Sequence, residues 1–238
     1  METSFDIVTL GLIWFVVFLL STTCHEGAHA LAAKLGGDPT ASGQITLNPI
    51  PHIQREPFGM VVVPIISYIL GGWMMGWASA PYDPLWAHRH PHRAARMALA
   101  GPAANFILML IGAAAIRIGL AWGAFQAPTT VNFTRITEAA DPSGIGSLLA
   151  IVFSVLFMLN LILGAFNLLP VPPLDGNVGI TILMSEERAR SFLDLFRQPS
   201  FAMMGLLLAW VVFGRIFSVI WTVALNVLYA GITTYGSF

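Results

Sequence analysis

The sequence predicts an all-α polytopic membrane protein, with about four to six membrane segments, one of them a re-entrant hairpin, and a small β element near the functional site. Three observations carry this. Hydrophobic residues make up 56% of the 238 positions and charged residues only 10%, against about 25% charged in a soluble domain. So few charges cannot cover a water-facing surface, which excludes a soluble globular protein. Five apolar runs reach or exceed the roughly 20 residues that cross a bilayer. The longest polar interval is about two dozen residues, too short for a core of its own. The same scarcity of charge excludes disorder and nucleic-acid binding. Cys24 is the only cysteine, which excludes a disulfide framework and a cysteine-based structural zinc site. The net charge of −1 selects no partner.

The first run, Phe5 to Leu35, carries His25, Glu26 and His29 in its C-terminal half. Its beginning is not read as a signal peptide, because Glu2 and Asp6 stand where a basic region would be expected and no cleavage site follows. Met60 to Ala80 is apolar around Gly71-Gly72. Ala94 to Ala121 is interrupted only by Arg96, Asn105 and Arg117. Ile145 to Leu169 ends at Pro170. Phe201 to Ile232 is interrupted by Gly214-Arg215, where Arg215 either snorkels or marks a turn. The chain is therefore expected to be a single membrane-embedded domain over residues 1–238, with a core at 5–185 and an extra membrane segment at 200–232.

Orientation follows from the basic residues. Lys34, Arg55, Arg89, Arg93, Arg96, Arg188, Arg190 and Arg197 lie in or beside segments 34–58, 81–96 and 177–200, whereas 122–144 holds only Arg135. The first three segments are placed in the cytoplasm, and the N-terminus and 122–144 outside. The run at 60–80 then has both ends on one side and cannot cross once. Gly71-Gly72 supplies the backbone freedom for a reversal, and non-helical backbone is tolerated at membrane depth where protein covers it. The expectation is a multi-pass protein of the cell membrane.

His25-Glu26-Gly27-Ala28-His29 is an H-E-x-x-H pattern. On a helix, residues four apart lie about 40° apart on one face, so two imidazoles meet one metal and Glu26 sits close enough to touch a metal-bound water. Three ionisable groups within five residues of an apolar span are costly unless something compensates them. Zinc compensates the imidazoles, and a water pocket serves the glutamate. A catalytic zinc takes a third protein ligand and leaves one position open. Asp175, Glu186, Glu187, Asp194 and the group His88, His90 and His92 are candidates. Asp175 stands out, since three prolines at 170, 172 and 173 give it a rigid entry and Gly176 follows it. The charges at 186–197 read as a solvated helix. The three histidines, interleaved with Arg89 and Arg93, read as a basic cluster at lipid headgroups.

The chain resembles the site-2 protease family of intramembrane zinc metalloproteases. The resemblance rests on His25 to His29, on Leu47-Asn48-Pro49, on Ala100-Gly101-Pro102-Ala103-Ala104-Asn105, and on Asn167 to Gly176, which is similar to that family's N-x-x-P-x-x-x-x-D-G signature. It implies that His25, His29 and Asp175 hold one Zn2+ ion, that Glu26 is the catalytic base, and that Asn105 lines the active site. It implies a minimal form without PDZ or CBS domains, which leaves room for a separate regulatory partner. It also implies regulated intramembrane proteolysis of a membrane-protein substrate with a transmembrane helix. Two stretches depart from the family pattern. His52-Ile53-Gln54-Arg55 stands where relatives read His-Ile-Asp-Pro, and Gly76-Trp77-Ala78-Ser79-Ala80-Pro81 where they read Gly-Trp-Ala-Lys-Pro.

Among the remaining residues, Gln44 to Asn48 alternates polar and apolar and reads as a short strand, either a plain connector or an edge to which an unwound substrate can add. Asn160 is assigned to packing. Trp73, Trp77 and Trp86 fit interfacial belts. Two rival readings are an ion- or proton-coupled transporter, since intramembrane His, Glu and Asp also mark ion pathways, and a catalytically silent zinc-bound scaffold. The presence of Glu26 disfavours the scaffold.

Overall fold

In a bilayer the backbone has no water to bond, so Val- and Ile-rich runs that would favour strands in solution fold as helices. The computed structural model describes residues 7–196 and 198–236; Glu2, Phe5, Asp6 and Arg197 lie outside the described residues. Among the described residues, four helices are long and apolar enough to cross a membrane. They are α1 (Ile7–Leu35), α5 (Pro91–Ala121), α6 (Ile145–Asn167) and α9 (Pro199–Leu228), in a chain that also forms the short helices α2 (Ile50–Arg55), α3 (Val63–Gly71), α4 (Pro84–Arg89), α7 (Asp175–Gly179) and α8 (Glu186–Leu195). The protein is thus a polytopic all-α membrane protein.

α6 is the centre of the bundle. Of its most apolar window, 61% is buried, against 11% for α9, which lies at the periphery. One side of α6 (Val155, Leu156, Leu159) packs on Ile13, Trp14, Val17 and Phe18 of α1. The other side (Phe157, Met158, Leu161) packs on Ile116 of α5 and on Trp221, Leu225 and Leu228 of α9. α9 runs unbroken through Gly214-Arg215, with Arg215 exposed. A turn there would leave backbone groups unsatisfied in lipid, and a single glycine is tolerated in such a helix.

The segment at 60–80 doubles back. A π-turn at Phe58–Val62 leads into α3, Gly72 ends it in the left-handed conformation at φ 73°, and the chain returns extended. Trp77 N donates to Gly59 O at 3.1 Å and Met75 N to Ser67 Oγ at 2.9 Å. The bases of the two limbs are tied together by Arg55 Nε donating to Ser79 Oγ at 3.1 Å and Ser79 Oγ donating to Glu56 Oε1 at 2.5 Å. Both ends therefore sit on one side. The turn falls at Gly72, within the glycine pair that the sequence singles out. Tyr68 OH donates to Ile7 O at the start of α1, and Trp73 meets Phe133 edge to face at 5.9 Å, so the hairpin reaches the far face. The reversal itself, at Gly71-Gly72, is exposed rather than covered by protein.

The residues 122–144 form that far layer. β1 (Phe125–Gln126) pairs antiparallel with β2 (Glu138–Ala139), in register Phe125 to Ala139. Ser154 Oγ of α6 accepts from Ile136 N and Thr137 N, and Tyr229 OH donates to Ile136 O at 2.6 Å. Arg117 NH1 donates to Leu228 O and Ala230 O, capping the end of α9.

This is where the β element lies, and not at Gln44–Asn48. There a 3-10 turn (Ser42–Gln44) closes with Gln44 N on Ala41 O, and Thr46 N bonds Gln44 O. Asn48 Oδ1 accepts from Ile50 N at 3.0 Å. Short local hydrogen bonds and Pro49 win over the weak alternation.

The loop entering this region is anchored by Asp38, which accepts from Thr40 and from Asp83 N. Burial would raise its carboxyl, but those hydrogen bonds hold it below the ordinary carboxylate value.

Candidate functional site

α1 carries His25, Glu26 and His29 on consecutive turns, all buried. His25 Nε2 and His29 Nε2 are 3.0 Å apart. Asp175, the first residue of α7, brings Oδ2 to 3.0 Å from His25 Nε2 and 3.3 Å from His29 Nε2. His25, His29 and Asp175 are the one group of metal-ligating side chains found to converge among the described residues.

The remaining contacts of the two imidazoles fix which nitrogen faces inward. His25 Nδ1 donates to Asn105 Oδ1 at 2.5 Å and His29 Nδ1 to Met97 O at 2.7 Å, both partners on α5. With Nδ1 protonated, Nε2 presents its lone pair to the centre, the arrangement that orients histidine ligands.

Residues from the helix facing this pair leave the centre open. A Cβ on Gly101 of α5 would fall on the imidazole rings of both His25 and His29. Gly101 therefore keeps α5 close without filling the space between the ligands.

These residues fit a zinc ion. A tetrahedral zinc with bonds of about 2.0–2.1 Å sets its ligand atoms about 3.3 Å apart, close to the 3.0–3.3 Å observed. Asp175 Oδ2 is buried without a hydrogen-bond donor, a costly state for a carboxylate oxygen unless a cation compensates it. Two imidazoles and a carboxylate are a donor set typical of catalytic zinc.

Behind the site runs a polar chain inside the membrane region. Asn105 Nδ2 donates to Asn160 Oδ1 at 2.8 Å, Asn160 Nδ2 donates to Ser21 Oγ at 2.9 Å, and Ser21 Oγ donates to Val17 O at 2.7 Å. All three side chains are fully buried. Asn160 is thus a hydrogen-bonded member of the site's support rather than a packing residue. Neither it nor Ser21 stands out in the sequence; the signal was a polar amide at the middle of an apolar span. Among the described residues, Asn167 bonds only Leu163 O of its own helix.

The other candidate ligands go elsewhere. His88 pairs with Asp194 at 3.4 Å, His92 Nε2 donates to Met184 O, and Glu186 pairs with Arg190 at 2.7 Å. Glu187 is exposed. Glu26 makes no side-chain hydrogen bond or salt bridge among the described residues. On the helix it lies about 60° round from His29, beside the ligand face.

The family model for peptidase family M50 matches residues 13–212, from the first turns of α1 into α9. The chain belongs to peptidase family M50. This is the site-2 protease family. Over 168 residues the M50 chain is 34% identical to a Bacillus subtilis (strain 168) protein named "Putative zinc metalloprotease YwhC", covering 68% of this chain and 64% of that protein. The match thus spans less than two thirds of that relative's length. No solved structure matches the chain. The two stretches that depart from the family pattern face each other, since Arg55 bonds Ser79 at the base of the hairpin.

Proposed function

We propose that this M50 protein is a zinc metalloendopeptidase, hydrolysing peptide bonds in or beside the transmembrane helices of membrane-protein substrates. One observation carries the reading: three donor atoms from α1 and α7 stand 3.0–3.3 Å apart around an open centre. Family membership supports it. The basic segments around 34–58, 81–96 and 177–200 support a cytoplasm-facing site, and the chain is taken as one membrane-embedded domain.

In this reading His25, His29 and Asp175 hold one zinc ion and Glu26 is the general base. A zinc ion bound there supplies Lewis acidity, polarising the scissile carbonyl and lowering the pKa of water to about 7. Glu26 takes the proton of the attacking water and returns it to the leaving amine. Its carboxylate suits this role because no protein donor occupies it. Asn105 was expected to line the active site, but its amide is committed at both ends, to His25 and to Asn160. We assign it to positioning His25 rather than to meeting the oxyanion.

The test is proteolysis of a transmembrane reporter in proteoliposomes with metal content measured in parallel. Glu26→Gln abolishes cleavage and keeps one zinc per chain, whereas His25→Ala and Asp175→Ala lose both. Near-normal turnover by Glu26→Gln, or full zinc in Asp175→Ala, would overturn the assignment.

A further inference from the structure

The N-terminal end of α5 borders a cavity of about 240 Å³ lined by His90, His92, Arg93, Arg96 and Glu186. Helix length places it at the membrane surface. The 31 residues of α5 extend about 46 Å at roughly 1.5 Å each, while the hydrocarbon core is about 30 Å thick. From Met97 onward the helix is apolar but for Asn105 and Arg117, so Arg93 and Arg96 stand in the headgroup layer.

The lining is cationic on balance. Glu186 is held by Arg190 at 2.7 Å, which offsets its charge. Arg93 uses NH1 on Gly36 O at 3.1 Å and keeps its other donors. His92 Nε2 is spent on Met184 O. The side chains of His90 and Arg96 have no hydrogen-bond or ion-pair partner among the described residues. No side chain caps α5 at His90, so the positive end of the helix dipole adds to the same space.

We propose that this cavity binds a phosphate group, with Arg96 as its principal ligand and Arg93 and His90 completing the cradle. A tetrahedral anion accepts from donors approaching on several sides, and the guanidinium fork matches two of its oxygens at once. The phosphate comes from an anionic lipid headgroup, which basic pockets beside membrane helices take, or from free phosphate in the adjoining water. The site is separate from the metal group, although Arg96 precedes Met97, whose carbonyl orients His29. It does not rest on the proposed proteolysis.

The experiment uses the full chain purified in detergent, wild type against Arg96→Gln and Arg96→Lys. The probes are phosphatidic acid in phosphatidylcholine nanodiscs, counted by native mass spectrometry, and inorganic phosphate, read as a melting-temperature shift against chloride at equal ionic strength. Wild type is expected to retain phosphatidic acid at least about tenfold more tightly than Arg96→Gln, with Arg96→Lys between them. Unchanged zinc content and an unchanged melting temperature without probe show that the variants fold. Lipid retention without a phosphate-induced shift identifies the headgroup as the source. A phosphate shift that depends on Arg96 and displaces the lipid identifies the free anion as a ligand too. Phosphate bound at the zinc would be indifferent to Arg96. Equal binding of both probes by wild type and Arg96→Gln, or no binding by wild type, overturns the proposal.

Discussion

His25 Nδ1 and Asn105 Oδ1 lie 2.5 Å apart although 80 positions separate them in the chain. The bond joins α1 to α5 at the ring nitrogen that does not face the metal centre. It therefore sets both the tautomer and the rotation of His25, and under the proposed function zinc affinity depends on a residue that need not touch zinc.

Asn105→Ala is expected to keep the fold and to weaken zinc binding about 10–100-fold, the usual cost of losing a group that orients a ligand. Competition against a chelator of known affinity measures it. An affinity equal to wild type would separate Asn105 from the site.

Asn160 acts through Asn105. Without it, Asn105 Nδ2 keeps only Ser21 O, at 3.4 Å. Asn160→Ala should weaken zinc binding less than Asn105→Ala. The double variant should be no weaker than Asn105→Ala by more than about 0.5 kcal/mol, since one chain of contacts is being broken twice. Full additivity in the same chelator assay would show that the two asparagines act independently.

Much of the site is legible because its chemistry is local. The spacing of His25 and His29 needs only helical periodicity, and the prolines before Asp175 mark a rigid exit from a span. Charge parity together with Gly71-Gly72 points to the hairpin at 60–80. What is not legible depends on how helices are rotated against one another. Asn105, Asn160 and Ser21 come from three helices, and no spacing within one helix predicts that they meet. The alternation at Gln44–Asn48 misleads for a different reason: five residues carry too little pattern to outweigh Asn48 and Pro49, whose local preferences close a turn. The depth of the hairpin tip is not legible either, because the contacts of Tyr68 with Ile7 and of Trp73 with Phe133 join segments about 60 residues apart in the chain.

Gly101→Ala tests the openness of the centre. Alanine favours a helix by about 1 kcal/mol over glycine, so α5 itself is not weakened. Its Cβ, however, falls on both imidazoles. The variant should bind less than about a tenth of the zinc of wild type, since losing the paired geometry costs at least as much as losing a supporting contact. Metal analysis of the purified protein, with helicity followed by circular dichroism, measures both effects. Stoichiometric zinc in a helical Gly101→Ala protein would mean that the ligands meet elsewhere.

The doubled-back segment makes a topological prediction. Arg55, Glu56 and Ser79 are joined by hydrogen bonds, so positions on either side of the hairpin belong to one face of the membrane. Gln54 and Tyr82 are exposed there, and Thr130 is exposed in the opposite layer. In a Cys24→Ser background, Gln54→Cys and Tyr82→Cys should resist a membrane-impermeant maleimide on intact cells and react once the cells are opened. Thr130→Cys should react on intact cells. From the basic segments the first two are expected in the cytoplasm, with the candidate metal group nearer to them because His25 and His29 lie in the half of α1 that ends at Leu35. Labelling of Gln54→Cys and Tyr82→Cys from opposite sides would turn the hairpin into a crossing helix, and α5, α6 and α9 would each reverse direction with it.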